Sequence, residues 1–242
     1  MIEARTSTWP DIQAAWQSGK IAILPFGAQE EHGPHCPLST DTRMADGFAA
    51  RLAAELDAVL LPAIPYGETW STSGFPGTIS LSPETIRSIV LDIGRSLHDQ
   101  GVRALVIING HFGNRAPIEL ACRELKSGLA FPVLLVDYPG MEQLAQEICD
   151  SAPAAPSFYH ADEVETSIML ALAPGDVRME RAAAEYPVFP PTFGAEPILL
   201  NTFCCSGVFG DPRPATAEKG EKLLQGLTEK SLVLIRRFLE EI

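Results

Sequence analysis

Short apolar runs alternate along the chain with longer stretches in which apolar residues recur every three or four positions. Ile21 to Pro25, Val59 to Ile64, Ala104 to Ile108 and Pro132 to Asp137 have strand length and are mostly apolar, as expected of strands covered on both faces. Met44 to Leu56, Ser82 to Gln100, Arg115 to Lys126 and Asp162 to Leu172 read as helices, and a long amphipathic helix closes the chain. Thr8 and Asp11 have the spacing of a capping box that opens an early helix. Ser82-Pro83-Glu84 places a proline just inside an N-cap, and Gly101 stops the helix that follows. The proline-rich segment from Pro174 to Pro214 reads as irregular wrapping or a subunit-contact arm. This alternation predicts an α/β fold, a mostly parallel sheet with helices on both faces, and a length of 242 residues fits one compact domain, 1–242.

In such a sheet, segments just past the carboxyl ends of the strands share one edge, where ligands bind. Gly27 to His35 follows the first predicted strand and Asn109 to Asn114 the third, so two donor-rich loops face one crevice. Glu30, His32, Asp41, His111 and Glu165 are the candidate metal ligands. Glu30 and His32 stand two apart, so an extended segment projects both to one side, while Gly33 and Pro34 turn the chain and let Asp41 come back toward them. Carboxylate plus imidazole suits zinc, manganese or ferrous iron, but not calcium, which takes oxygen alone. Three carboxylates held close without a cation would raise one another's pKa values, so the set suits two divalent ions.

Each donor also has a plainer reading. Asp162 and Glu165 have the spacing of an N-cap residue and its N3 partner, which stabilises a helix with no metal. His111 alone could be a turn residue, His160 a hydrogen-bonded loop histidine, and His35 a residue that orients the ligands. The case for a metal rests on the combination.

Composition narrows the function classes. A hydrophobic fraction of 46%, charged residues at 20% and a mean hydropathy of +0.08 describe a globular protein, apolar enough to hint at a buried subunit interface. A net charge of −13 with no basic stripe argues against a nucleic-acid partner. The start lacks the basic-then-apolar run of a secretion signal, and no apolar stretch approaches the roughly 20 residues that span a bilayer, so a cytoplasmic location without membrane contact is expected. Five cysteines with no Cys-x-x-Cys pair suit reduced thiols. Cys36 alone lies inside a donor segment, as a soft ligand, a nucleophile or a small buried side chain.

Pro25-Phe-Gly-Ala-Gln-Glu-Glu-His-Gly-Pro-His35 with Pro37-Leu-Ser-Thr-Asp41, Gly74-Phe-Pro-Gly-Thr-Ile-Ser-Leu81, Asn109-Gly-His-Phe-Gly-Asn114, and His160 followed by Glu165-Thr-Ser167 form four ordered motifs. Together they resemble the creatininase, or creatinine amidohydrolase, family. The likeness runs from about Ile21 to Leu172. It implies a single three-layer α/β/α domain, often a homohexamer, with two divalent ions per chain, zinc favoured and manganese or iron also possible. By the resemblance, Glu30 and His111 bind one ion, His32 the other, Asp41 bridges them, Glu165 completes the second site and His160 handles protons.

Departures from the family pattern bear on substrate. Creatinine-cleaving members carry a carboxylate ligand where this chain has Gly113, so Glu165 must take that place. Their tryptophans near the catalytic histidine are absent, since Pro156, Phe158 and Tyr159 precede His160. Many other members carry a Glu-His pair where Trp70-Ser71-Thr72-Ser73 stands, a hydroxyl-rich wall that suits a polar substrate. His35, Trp70, Ser71, Ser73, Asn114 and Tyr159 are the candidates for contacting substrate or supporting the ligands.

The expected function is hydrolysis of a cyclic or formyl amide of a small polar metabolite, other than creatinine, by a metal-activated water. The alternatives are opening of a cyclic diketone of a polyol or sugar-like substrate by carbon–carbon cleavage, and a non-catalytic protein that binds a small ligand through its metal.

Overall fold

The computed structural model describes residues 1–242. Its element order is β1 (Ile2–Glu3), α1 (Trp9–Gln17), β2 (Ala22–Phe26), α2 (Thr40–Glu55), β3 (Val59–Leu60), α3 (Pro83–Asp99), β4 (Leu105–Asn109), α4 (Arg115–Leu129), β5 (Val133–Val136), α5 (Met141–Ile148), α6 (Glu163–Leu172) and α7 (Ala217–Glu240). The strands form one sheet in the order β1-β3-β2-β4-β5, parallel throughout. β2 and β4 pair along their full length, from Ala22 opposite Leu105 to Phe26 opposite Asn109.

Side chains along these strands alternate between two cores, which makes the fold a three-layer α/β/α sandwich. Ile23, Val106 and Ile108 pack with Met44, Phe48 and Leu52 of α2, Ile168 of α6, and Leu223 and Leu227 of α7. Leu24, Phe26, Leu105 and Ile107 face the other way, onto Trp16 of α1, Ile86 and Val90 of α3, and Ile118 and Leu125 of α4. Full burial of each such Ile, Leu or Phe contributes roughly 1.5–3 kcal/mol, so both layers are strongly held to the sheet.

The sheet order also fixes where a ligand can go. β2 leads through α2 to β3 on one side, whereas β4 leads through α4 to β5 on the other. The loops after β2 and β4 therefore part at the middle of the sheet, the switch point where open parallel sheets bind ligands. Gly110 N–H donates to Phe26 O at 2.8 Å and holds the two loops together at their base.

Several elements differ from the sequence-based expectation. The second strand stops at Leu60 because Pro62 cannot donate to a ladder, and the chain returns to β2 only at Ile64. α2 begins at Thr40, four residues before Met44, so Asp41, which the turning loop brings back toward His32, sits on the first turn of a helix. β1 and α5 are additional: one is two residues long, and the other buries only Leu144 and Ala145. From Pro174 to Pro214 the chain forms three single helical turns and is otherwise irregular. No helix is long and apolar enough to cross a membrane.

Candidate metal centre

The loop after β2 supplies Glu30 and His32, and it is folded back by Glu30 N–H donating to Leu38 O at 2.9 Å. Asp41 sits one turn away at the start of α2, where a carboxylate is favoured by the helix dipole. Thr42 ties that turn to the loop through its hydroxyl, which donates to Ala28 O at 3.0 Å. His111 follows β4, while Glu165 lies in the first turn of α6 and His160 just before it.

These six side chains converge in three interlocking groups, Glu30 with Asp41 and His111, His32 with Asp41 and Glu165, and Glu30 with His32 and His160. Asp41 joins the first two, with Oδ1 at 3.1 Å from His32 Nε2 and Oδ2 at 3.2 Å from His111 Nδ1. Glu30 Oε2 is 2.9 Å from His111 Nδ1, and Glu165 Oε2 is 3.5 Å from His32 Nε2. Glu30, His32, Asp41 and His160 are buried.

Backbone carbonyls fix which imidazole nitrogen faces the cluster. A carbonyl only accepts, so Glu30 O at 3.2 Å from His32 Nδ1 takes that N–H and turns Nε2 inward. Glu68 O, 2.7 Å from His111 Nε2, likewise turns His111 Nδ1 inward. Both inward nitrogens are thus presented to the carboxylates with the ring's other N–H already engaged.

The electrostatics show how much compensation the cluster needs. Burial pushes all three carboxylates upward, and the facing imidazoles bring Glu30 and Asp41 below the usual range, through His111 and His32 respectively, while Glu165 stays raised. Burial lowers His32 and His111, but the carboxylates outweigh it and hold both well above the ordinary histidine value. His160 is lowered by burial and by His32, then raised by Glu31 and Glu30, to about 8 overall. Burial brings His35 down to about 4, so that ring is neutral at pH 7. Burial pushes the Cys36 thiol up to about 11, which leaves little thiolate for a nucleophile or soft ligand.

The donor set fits divalent cations. His32 Nε2 and Asp41 Oδ2 are sealed from solvent without a hydrogen-bond partner. Leaving such atoms unpaired costs about 1–3 kcal/mol each, and a cation in its own donor group would satisfy each, His32 Nε2 beside Glu165 and Asp41 Oδ2 beside Glu30 and His111. Two nitrogen–oxygen donor groups sharing one carboxylate are the chemistry of zinc, manganese or ferrous iron.

The remaining candidates lie at different distances from this centre. Asn114 is buried and laces three segments together: its Oδ1 accepts from Glu68 N–H at 2.8 Å, and its Nδ2 donates to Gly27 O at 2.9 Å and to Asn109 Oδ1 at 3.3 Å. His35 Nε2 pairs with Thr166 Oγ1 at 2.8 Å. Trp70 is half exposed, and Ser73 donates its hydroxyl back to Trp70 O at 2.7 Å. Ser71 is half-buried and engages in no side-chain hydrogen bond. Tyr159 lines a separate cleft with Cys149 and Asp162. Four contacts escape the sequence reading. Thr72 donates its hydroxyl to Glu30, Glu31 meets His160, Glu68 offers its carbonyl to His111, and Thr166 holds His35. Glu31 and Thr166 lie inside the motifs and Thr72 two residues before one, but only tertiary packing reveals what their polar atoms touch.

Comparison with known proteins identifies the family. A family model described as creatininase, creatinine amidohydrolase, matches residues 5–235. The chain is 31% identical over 233 residues to the creatinine amidohydrolase of Pseudomonas putida, covering 90% of each. It is 31% identical over 228 residues to the mycofactocin precursor peptide peptidase of Mycolicibacterium smegmatis, covering 90% of this chain and 85% of that one. At 25% identity over 260 residues it is similar to the 3-dehydro-scyllo-inosose hydrolase of Thermotoga maritima, covering 98% of this chain and 83% of that one. A solved creatininase variant of zinc–zinc type superposes with a TM-score of 0.84 at 30% identity, covering 97% of each chain. With its parallel sheet, its donor cluster at the switch point and a match over nearly its whole length, the chain belongs to the creatininase family and is a hydrolase of that type.

Proposed function

We propose that this protein is a metal-dependent amidohydrolase acting on a cyclic or formyl amide of a small polar metabolite. The observation that carries the reading is Asp41, whose two oxygens serve two separate donor groups. Glu30, Asp41 and His111 would hold one divalent ion, and His32, Asp41 and Glu165 the other. The zinc–zinc form of a solved relative supports zinc. Such ions supply an acidity that makes water a nucleophile near neutral pH and polarise a carbonyl.

The chain's own groups account for the rest. His160 lies beside His32, with ring centroids 4.5 Å apart, and its Nε2 meets Glu31 at 2.9 Å. In this reading His160 gives a proton to the departing nitrogen, a contribution of roughly a hundred- to ten-thousandfold in rate. Asn114 and the Gly110 contact keep the two ligand-bearing loops in register, which preserves the placement that the chemistry depends on.

Gly113 supports a substrate other than creatinine. A side chain there would begin 2.2 Å from Glu68 O and 2.6 Å from His111 Nε2, so the carboxylate of creatinine-cleaving members has no room at this position. A second reading, opening of a cyclic diketone, is favoured by the likeness to the inosose hydrolase. The expected polyol-facing wall offers less than its composition suggests, because Thr72 is engaged with Glu30 and Ser73 with Trp70 O.

Elemental analysis of protein purified without chelator tests the centre: about two divalent ions per chain support the reading, and none, with none taken up from added zinc, refutes it. Turnover in a panel of lactams, formamides and cyclic diketones then decides the bond. Cleavage of diketones alone would reverse the order of the two readings.

A further inference from the structure

Glu31 stands between two members of the donor cluster in sequence yet belongs to none of the three donor groups. It is 6% exposed, a costly place for a carboxylate unless its oxygens are engaged. Both are. Oε1 meets His160 Nε2 at 2.9 Å, and Oε2 accepts from Gly33 N–H at 3.0 Å. Gly207 closes the third side so tightly that a methyl group there would fall 1.8 Å from Oε2. The Glu31 backbone is pinned as well, its N–H donating to Thr78 Oγ1 at 3.0 Å.

His160 is fixed by contacts of its own. Its carbonyl accepts from Phe209 N–H at 3.0 Å, and its ring meets the edge of Phe209 at 5.8 Å on one side and His32 on the other. Two rigidly held side chains thus meet through one hydrogen bond. A carboxylate only accepts, so the Nε2 atom of His160 must carry the hydrogen that Glu31 takes. Nδ1 has no hydrogen-bond partner in the protein and is not sealed from solvent.

We propose that Glu31 is a positioning residue that locks His160 as its Nε2–H tautomer and orients the ring, leaving Nδ1 as the nitrogen that serves the substrate. This rests on His160 being the proton donor of the proposed reaction. The proton on Nδ1 passes to the leaving nitrogen, the Nε2–H stays with Glu31, and Nδ1 is reprotonated from solvent. The pair then works as a carboxylate-oriented imidazole, with the orienting oxygen on the opposite side of the ring from the working nitrogen.

Long-range 1H–15N spectra of 15N-histidine-labelled, zinc-loaded protein at about pH 10, where a free imidazole is neutral, test this directly. The His160 signals are identified by their loss in His160→Ala. In the native protein Nε2 is expected to carry the hydrogen and Nδ1 to be bare. In Glu31→Gln, whose amide can donate as well as accept, the bare-nitrogen signal is expected to move wholly or partly to Nε2, with zinc content unchanged. An Nδ1–H tautomer in the native protein, or the same tautomer in Glu31→Gln and in Glu31→Ala, would overturn the proposal. Glu31→Gln keeps the volume of the side chain, so the result does not depend on the alanine variant folding. Failure of the underlying reading is seen separately, as unchanged turnover in His160→Ala.

Discussion

The Ala161 N–H donates to Glu165 Oε2 at 2.6 Å, and the same oxygen stands 3.5 Å from His32 Nε2. Glu165 thus reaches past the N-cap residue of α6 instead of closing a capping box on it. Asp162 caps the helix alone, accepting from Val164 N–H at 3.0 Å and Glu165 N–H at 3.2 Å. Cap and donor roles are therefore separable. Asp162→Ala should cost about 1 kcal/mol of stability, measured by denaturant unfolding of chelated protein. Glu165→Gln should unfold close to wild type but bind less metal by elemental analysis. Full metal content in Glu165→Gln would return that residue to a structural role.

Asp41 makes a sharper prediction because both donor groups use it. Asn has the same shape but is a poor ligand, so Asp41→Asn removes a donor from each group at once. The variant should lose both ions, whereas Glu165→Gln should keep the one held by Glu30, Asp41 and His111. The loss in affinity should exceed the roughly 10–100-fold typical of disturbing an outer partner, as read by competition against a chelator. Equal stoichiometry in the two variants would rule out a shared carboxylate.

The strands were the most legible feature, because β2 and β4 are buried on both faces and announce themselves as apolar runs. Asp41 shows the limit of that reading. Thr40, Asp41, Thr42 and Arg43 look like loop because they are polar, yet Thr40 and Asp41 are buried on the first turn of α2. Asp41 serves the centre and Thr40 donates its hydroxyl to Pro37 O at 2.7 Å, so neither polar group faces solvent, and periodicity cannot tell such residues from loop. The spacing of Glu30 and His32 revealed that they belong together, but not that a carbonyl would select the inward nitrogen of each histidine. Glu31 was illegible for the same reason: its partner lies 129 residues away.

Glu163, the neighbour of the capping Asp162, should make stability pH-dependent independently of any metal. It is almost fully buried and accepts from Ser151 N–H at 2.7 Å, from Asp150 N–H and from Lys219. Burial pushes its carboxyl up, but Lys219 and these backbone donors bring it below the usual glutamate value. A depressed value in the folded state means the stabilisation is whole above the unfolded value, about 4.3, and is lost as pH falls through the folded one. Glu163→Gln should therefore cost roughly 1–3 kcal/mol at pH 7. The gap to wild type should narrow as pH drops below about 4. Urea titrations at both pH values check this, and a gap independent of pH would assign the loss to packing.

Gly110 is the position where backbone geometry most directly controls the centre. A Cβ there would lie 2.3 Å from Asp41 O and 2.9 Å from Ala45 Cβ, both part of α2. The obstacle is main chain, so no rotamer change relieves it, and Gly110→Ala must push the start of α2 away from the loop that carries His111. Overpacking of this kind costs roughly 1–3 kcal/mol. The displacement also separates Asp41 Oδ2 from His111 Nδ1, which now stand 3.2 Å apart. Metal affinity should fall with stability although no ligand has been changed. Because α6 carries Glu165 independently of Gly110, the ion shared with Glu30 and His111 should be the first lost. A Gly110→Ala protein with two tightly held ions would show that the β4 loop can yield, and that the close approach to Asp41 is not what places the carboxylate.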